Sequence, residues 1–180
     1  PSDSDIFDIL MNKEQIVLTG VPGVGKSRYT KTLTESGKFA DSLTIQFHAN
    51  YSYEDFIGAE VLRSEDGGTY VTTKQGVFLK YIEKVKSDPD KSNKYLLVID
   101  ELNRGNIAEI FGESILALDR NYEASLSKEY EDVGTLSIPH NLYIVATMNT
   151  SDRNIAFLDL AIRRRFAFVP LLPNYDFLSE

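Results

Sequence analysis

Apolar and polar residues change period along this chain so that short strands and helices alternate. Residues 16–19 (Ile-Val-Leu-Thr) are an unbroken apolar run ending in glycine, the pattern of a parallel strand buried on both faces. Residues 26–35 follow with helical spacing, and Gly37 closes that helix. Further strands are predicted at 43–47, 95–99, 142–148 and 166–169. Between them, residues 77–85 place Val77, Phe78, Tyr81, Ile82 and Val85 on one helical face. Asn106 is the expected cap of a helix running to about Arg120, and 155–162 reads as a short helix. Ser4 and Asp5 are candidate caps for a leading helix with Ile6, Phe7 and Leu10 on its apolar side, and 53–57 reads as one helical turn. Two stretches break the alternation. Residues 61–71 read as a hairpin turning at Asp66-Gly67-Gly68, and the polar stretch 122–139 reads as a second one with Gly134 near its centre.

The pattern predicts an α/β fold: a five-stranded parallel sheet covered by helices, with two β-hairpin inserts. In such sheets ligands sit beyond the carboxyl ends of the strands. Residues 1–15 are expected to be a lead-in segment and 16–180 the α/β domain.

Composition narrows this further. The 180 residues are 42% hydrophobic, with ten Phe and ten Tyr, enough for a packed core. No apolar run approaches the ~20 residues of a membrane span, and the acidic start (Asp3, Asp5, Asp8) does not read as a signal peptide. The absence of cysteine removes disulfides and thiolate metal sites and suits a cytoplasmic protein. A net charge of −8 argues against a broad nucleic-acid footprint, so any DNA is expected to be gripped by a domain outside this chain. His48 and His140 lie far apart with no metal-ligand neighbours and read as structural or surface residues.

Chemistry concentrates at the predicted strand ends. Gly20-Val21-Pro22-Gly23-Val24-Gly25-Lys26-Ser27 fits G-x-x-x-x-G-K-[ST], with a strand before it and a helix after it. A triphosphate needs many donors in a small concave space. Glycines let backbone N–H groups converge, and the helix adds its positive end. Lys26 is expected on the β and γ phosphates and the Ser27 hydroxyl on Mg²⁺. The strand 95–99 ends in Asp100-Glu101: Asp100 would hold the Mg²⁺ shell, and Glu101 would orient or deprotonate the attacking water. Asn149 ends the next predicted strand, where an amide can bond both γ-phosphate and water. A plain Asn-Thr-Ser-Asp turn accounts for that stretch equally well. Arg163-Arg164-Arg165 offers an arginine finger acting on a neighbouring subunit's phosphate, against the alternative of an exposed basic patch.

Four stretches together resemble the McrB family of AAA+ proteins: GVPGVGKS (20–27), HANYSYEDFIGAE (48–60), VIDELNRGNIAEIFGE (98–113) and MNTSDRNIAFLDLAIRRRF (148–166). The first is generic to phosphate-binding loops, whereas Tyr-Ser-Tyr-Glu-Asp-Phe and Met-Asn-Thr-x-Asp-Arg are far more specific. The resemblance implies GTP hydrolysis by the motor subunit of a modification-dependent restriction system. It carries catalytic roles onto Asn149 and Asp152, and the arginine pair of the family motif onto Arg164 and Arg165. It also implies a hexameric ring and a McrC-like nuclease partner. Measured against a complete family member, the chain is expected to be a piece without the N-terminal DNA-reading domain or the helical lid. The competing readings are an ATP-hydrolysing AAA+ remodeller of the MoxR or midasin type and a nucleotide-gated assembly module with little turnover. The Asp100-Glu101 pair serves GTP or ATP alike.

Overall fold

The computed structural model describes residues 1–150, 158 and 160–173. The chain divides into two compact units, one drawn from 1–48, 90–105 and 140–180, the other from 49–89 and 106–139.

The first unit holds helix α1 (Asp3–Lys13), strand β1 (Gln15–Gly20), helix α2 (Lys26–Glu35) and strand β2 (Asp41–Gln46). To that unit also belong, in chain order, β5 (Tyr95–Asp100), a 3₁₀ turn (Leu102–Arg104), β8 (Leu142–Asn149), α6 (Leu160–Arg165) and β9 (Ala167–Pro170). The five strands form one parallel sheet in the order β2-β5-β8-β1-β9. Every residue of β1 is buried, which is why its sequence shows no alternation. Ile6 and Leu10 of α1 and Tyr29 and Leu33 of α2 pack with Ile16, Leu18, Leu96, Val98 and Val145 in one core cluster. The lead-in segment is thus part of this unit's core. Its cap is Ser2, not Ser4 or Asp5. The Ser2 hydroxyl accepts from Asp5 N–H, and the Asp5 carboxylate accepts from Ser2 N–H, making a reciprocal capping box two to three residues earlier than expected.

The second unit contains α3 (Tyr53–Phe56), the hairpin β3–β4 (Gly58–Glu65 and Gly68–Gln75) and α4 (Val77–Ser87). After these come α5 (Ile107–Phe111), a 3₁₀ helix (Gly112–Leu118) and the hairpin β6–β7 (Ala124–Tyr130 and Val133–Leu136). Both expected hairpins form. β3–β4 is longer than 61–71 and turns on Asp66-Gly67, both with positive φ, as a two-residue hairpin turn requires. The second hairpin turns on Glu131 and Asp132, also at positive φ, and Gly134 lies within β7. Glu131 is held there from both sides: its N–H donates to Thr73 Oγ1, and its carboxylate accepts from Gln75 N–H. The expected helix from Asn106 to Arg120 begins as foreseen but breaks at Gly112. Gly112 has φ +52, and a Cβ there would stand 2.8 Å from the Tyr53 ring, so the chain turns where no side chain fits. Phe56 stacks on Phe78 at 4.5 Å, and Phe111 tilts against Phe56 at 4.9 Å, forming the aromatic centre of this unit. Tyr53 donates to Glu113 Oε1, an oxygen that also accepts from Ser127 N–H. Burial, and after it this bond, pushes the Tyr53 phenol well above its usual range. The Tyr-Ser-Tyr-Glu-Asp-Phe stretch is therefore a packing element of this unit, with Ser52 and Asp55 as its capping box.

The expected helix at 155–162 falls mostly outside the described residues. What is described runs from Leu160 to Arg165 and carries the three arginines in its last turn rather than after it.

Candidate functional site

β2, β5, β8 and β1 lie side by side in that order, with Gly20 opposite Asn149 and Gln46 opposite Asp100. The polar residues that end these strands therefore collect along one sheet edge. There they line a cavity of about 510 Å³ together with Pro22, Gly23, Gly25, Lys26 and Ser27. The strand-end residues on its wall are Gln46, Asp100, Glu101, Thr147 and Asn149. Residues proposed from three separate motifs thus share one cavity, within the first unit.

The loop geometry follows from its glycines. Gly23 and Gly25 have φ of +88° and +96°, and α2 starts directly after Gly25. Gly20 is needed for another reason: a Cβ there would lie 2.5 Å from Val24 Cγ2 and 2.9 Å from the Leu171 carbonyl. Val24 packs its side chain against the core cluster instead of lining the cavity. Lys26 Nζ donates to the carbonyls of Gly20 and Val21 at 2.8 and 2.9 Å, so the ammonium sits at the mouth of the loop. Partial burial lowers its pKa.

Asp100 and Glu101 are consecutive, and an extended chain would aim them at opposite faces of the sheet. Glu101 instead adopts the left-handed conformation (φ 56, ψ 50) that turns both carboxylates toward the cavity. That conformation costs a non-glycine residue about 1–2 kcal/mol. It is held by neighbours. Glu101 N–H donates to Thr147 Oγ1 at 3.1 Å, and the Glu101 carbonyl accepts from Arg104 N–H at 2.9 Å. One carboxylate oxygen accepts from Gln46 Nε2, and the other lies 3.4 Å from Arg104 Nε. Asp100 is half-buried. Desolvation holds its carboxyl above the usual carboxylate range, opposed by the Thr147 hydroxyl and reinforced by the charge of Glu101.

The donor set fits Mg²⁺. Ser27 and Asp100 both line the cavity and offer hard oxygens, and a half-buried carboxylate gains from a divalent cation beside it. Among the described residues no cluster of three or more His, Cys, Asp or Glu is placed to hold a metal.

None of the three arginines lines that cavity, and Arg163 lines a separate one with Thr19, Met148, Thr150, Leu158 and Phe168. Gln15 Nε2 donates to the Arg165 carbonyl at 2.6 Å, which places the end of α6 at the start of β1. That is roughly 16 Å along the strand from Gly20, at ~3.3 Å per residue. Arg165 Nη1 donates back to Ala161 O within its own helix, whereas Arg163 and Arg164 are exposed. Asp152 lies outside the described residues. Gln46, Thr147 and Arg104 were missed by the sequence reading. The signals for the first two were present: Gln46 ends a strand, and Thr147 stands two residues before Asn149, on the same face of β8.

The family model for the AAA domain (dynein-related subfamily) matches residues 15–166. The chain belongs to this AAA family. Membership in it supports nucleoside triphosphate hydrolysis, and the McrB resemblance read from the motifs recurs in a relative along nearly all of this chain. The Type IV methyl-directed restriction enzyme EcoKMcrB subunit of Escherichia coli strain K12 is 36% identical over 180 residues, covering 95% of this chain and 38% of that protein. The Type II restriction enzyme BsuMI component YdiS of Bacillus subtilis strain 168 is 26% identical over 193 residues, covering 84% of this chain and 55% of that protein. The AAA domain thus spans about 40 to 55% of the length of these two relatives. A crystal structure of a proposed ATPase from Cytophaga hutchinsonii matches with a TM-score of 0.53 at 21% identity, over 98% of this chain and 48% of that one, and shares the fold. Among the described residues no helix is long and apolar enough to cross a membrane.

Proposed function

We propose that this AAA domain hydrolyses GTP with Mg²⁺ as part of the motor subunit of a restriction system. The observation that carries the proposal is the single cavity shared by Lys26, Ser27, Asp100, Glu101 and Asn149. The backbone of Gly20–Ser27, the N-terminus of α2 and Lys26 bind the phosphates. Ser27 and Asp100 hold Mg²⁺, which neutralises phosphate charge when bound. Glu101 orients the attacking water and takes its proton. Asn149 bonds the γ-phosphate and that water, and Asp152 assists catalysis. The position of α6 supports Arg164 as the residue completing a neighbouring subunit's site. Arg165, bonded within its own helix, fits as the second member of the pair. This requires a homo-oligomer, a hexameric ring on the family resemblance, and a McrC-like nuclease as partner, with DNA held by another domain. The restriction-system relatives support this setting over that of an ATP-driven remodeller.

Calorimetric titration with Mg²⁺ and non-hydrolysable GTP and ATP analogues, side by side, tests the base. Tighter GTP binding is expected; a preference for ATP would overturn the GTP assignment. Glu101→Gln is expected to keep analogue affinity and lower turnover by about 10²–10⁴-fold. Persisting turnover would assign water activation to another group.

A further inference from the structure

We infer that Thr147 is a positioning residue that sets the Asp100–Glu101 elbow and thereby aims the water-activating carboxylate. The inference rests on the role proposed for Glu101.

Thr147 is 5% exposed, and its hydroxyl lies between the two acids. It accepts the Glu101 N–H at 3.1 Å and donates, at a long 3.4 Å, to Asp100 Oδ1. Its place follows from register: Ala146 on β8 is opposite Ile99 on β5, so the next residue, Thr147, is level with Asp100. A threonine in a strand has few side-chain rotamers, so the hydroxyl direction is fixed by the backbone beneath it.

The chemistry of the hydroxyl explains the residue type. An ionised carboxylate only accepts hydrogen bonds and a backbone N–H only donates, so the group between them must do both. Serine and threonine meet that requirement at this size; valine has the shape without either function. The Thr147 hydroxyl joins the side chain of one acid to the backbone of the next. Of the contacts that hold Glu101 against the unfavourable φ of +56°, which include those of Gln46 and Arg104, it is the one that takes up the Glu101 N–H. Without it, the balance shifts toward extended backbone at Glu101, against the remaining contacts of Gln46 and Arg104. The Glu101 side chain then turns to the other face of the sheet, away from Ser27 and Lys26. Asn149, two residues on along the same face of β8, is undisturbed, so phosphate binding survives while water activation fails.

The test compares Thr147→Val, Thr147→Ser and Glu101→Gln in the full-length protein, measuring affinity for Mg²⁺ with a non-hydrolysable triphosphate and steady-state turnover. Thr147→Val is expected to bind within about twofold of wild type and turn over about 10- to 100-fold more slowly, as loss of one buried hydrogen bond implies. Thr147→Ser is expected to retain most of the rate. A crystal structure of Thr147→Val is expected to show Glu101 outside the left-handed region. Wild-type turnover in Thr147→Val beside an inactive Glu101→Gln overturns the inference and leaves the proposed role of Glu101 standing. So does equal impairment of the valine and serine variants, which would assign the effect to packing. An active Glu101→Gln overturns the role of Glu101 instead, and the Glu101 backbone in the Thr147→Val crystal still decides whether Thr147 sets the elbow.

Discussion

Asp100 offers a sharp separation between stability and function. Its carboxyl titrates above the usual carboxylate range, chiefly because it is desolvated at the end of β5, with the charge of Glu101 adding to the effect. The folded protein therefore holds this proton more tightly than the unfolded chain. By linkage, the contribution of Asp100 to stability falls as pH rises from the ordinary carboxylate value through the raised one. At neutral pH the ionised form is a net cost in metal-free buffer. Asp100→Asn removes that cost while keeping size, and its amide oxygen still accepts from Thr147. The half-exposed setting screens the effect toward the lower end of the 0.5–2 kcal/mol typical of relieved surface or cleft charges. At ~2–4 °C per kcal/mol for a chain of this size, the variant should melt about 1–4 °C higher than wild type without metal at pH 7. The gap should close as pH is lowered toward the ordinary carboxylate range. With Mg²⁺ and a triphosphate analogue the order should reverse, because wild type gains binding energy that the variant lacks. Thermal denaturation with and without ligand, across pH, reads all three. If Asp100→Asn melts below wild type in metal-free buffer at pH 7, the carboxylate is satisfied by its neighbours and the desolvation argument fails.

Two further outcomes follow from the geometry. Gly76→Ala would place a Cβ 2.4 Å from the Phe56 carbonyl carbon and 2.6 Å from Ile57 N, backbone atoms that cannot rotate away, at an ordinary φ. A loss of about 1–3 kcal/mol is expected by denaturant unfolding, against about 1 kcal/mol for Gly67→Ala, whose Cβ would meet nothing but whose φ is +77°. If Arg164 completes a neighbour's site, Arg164→Ala and Glu101→Gln proteins should each be inactive alone. Mixed in equal parts they should recover up to about a quarter of wild-type turnover, from random interfaces that pair the two intact residues; no recovery on mixing would place the arginine in its own subunit's site.

Much of the fold was legible because its signals are local. α2 runs from Lys26 to Glu35 as read, since a glycine-rich loop starts it and Gly37 follows it. The buried strands announced themselves as apolar runs, and Asp66-Gly67 named its own turn. What was not legible depended on partners distant in sequence. Gly112 interrupts a continuous helical pattern because the Tyr53 ring occupies the space a side chain would need. The second hairpin turns on Glu131 and Asp132 rather than near Gly134 because Thr73 and Gln75 bond Glu131. The site divided in the same way. Lys26, Ser27, Asp100, Glu101 and Asn149 could be read as candidates because each lies in a contiguous motif, whereas Gln46 and Thr147 line the same cavity through strand register alone.

The left-handed residues show how that register bears on chemistry. Five non-glycine residues among those described have positive φ: Glu14, Asp66, Glu101, Glu131 and Asp132. Glu14 ends α1, and the other three outside the cavity form the turns of the two hairpins, where reversal of the chain itself demands the conformation. Glu101 has no such excuse, since a 3₁₀ turn after β5 can begin without it. Its conformation is held by Thr147 on β8 and Gln46 on β2, which reach it only in the folded sheet, and by Arg104 in the following turn. Strain that persists because several distant elements over-determine it is expected where geometry serves chemistry. Here its effect is specific: it converts two adjacent acids that would face opposite ways into a pair that lines one cavity together with Lys26 and Ser27.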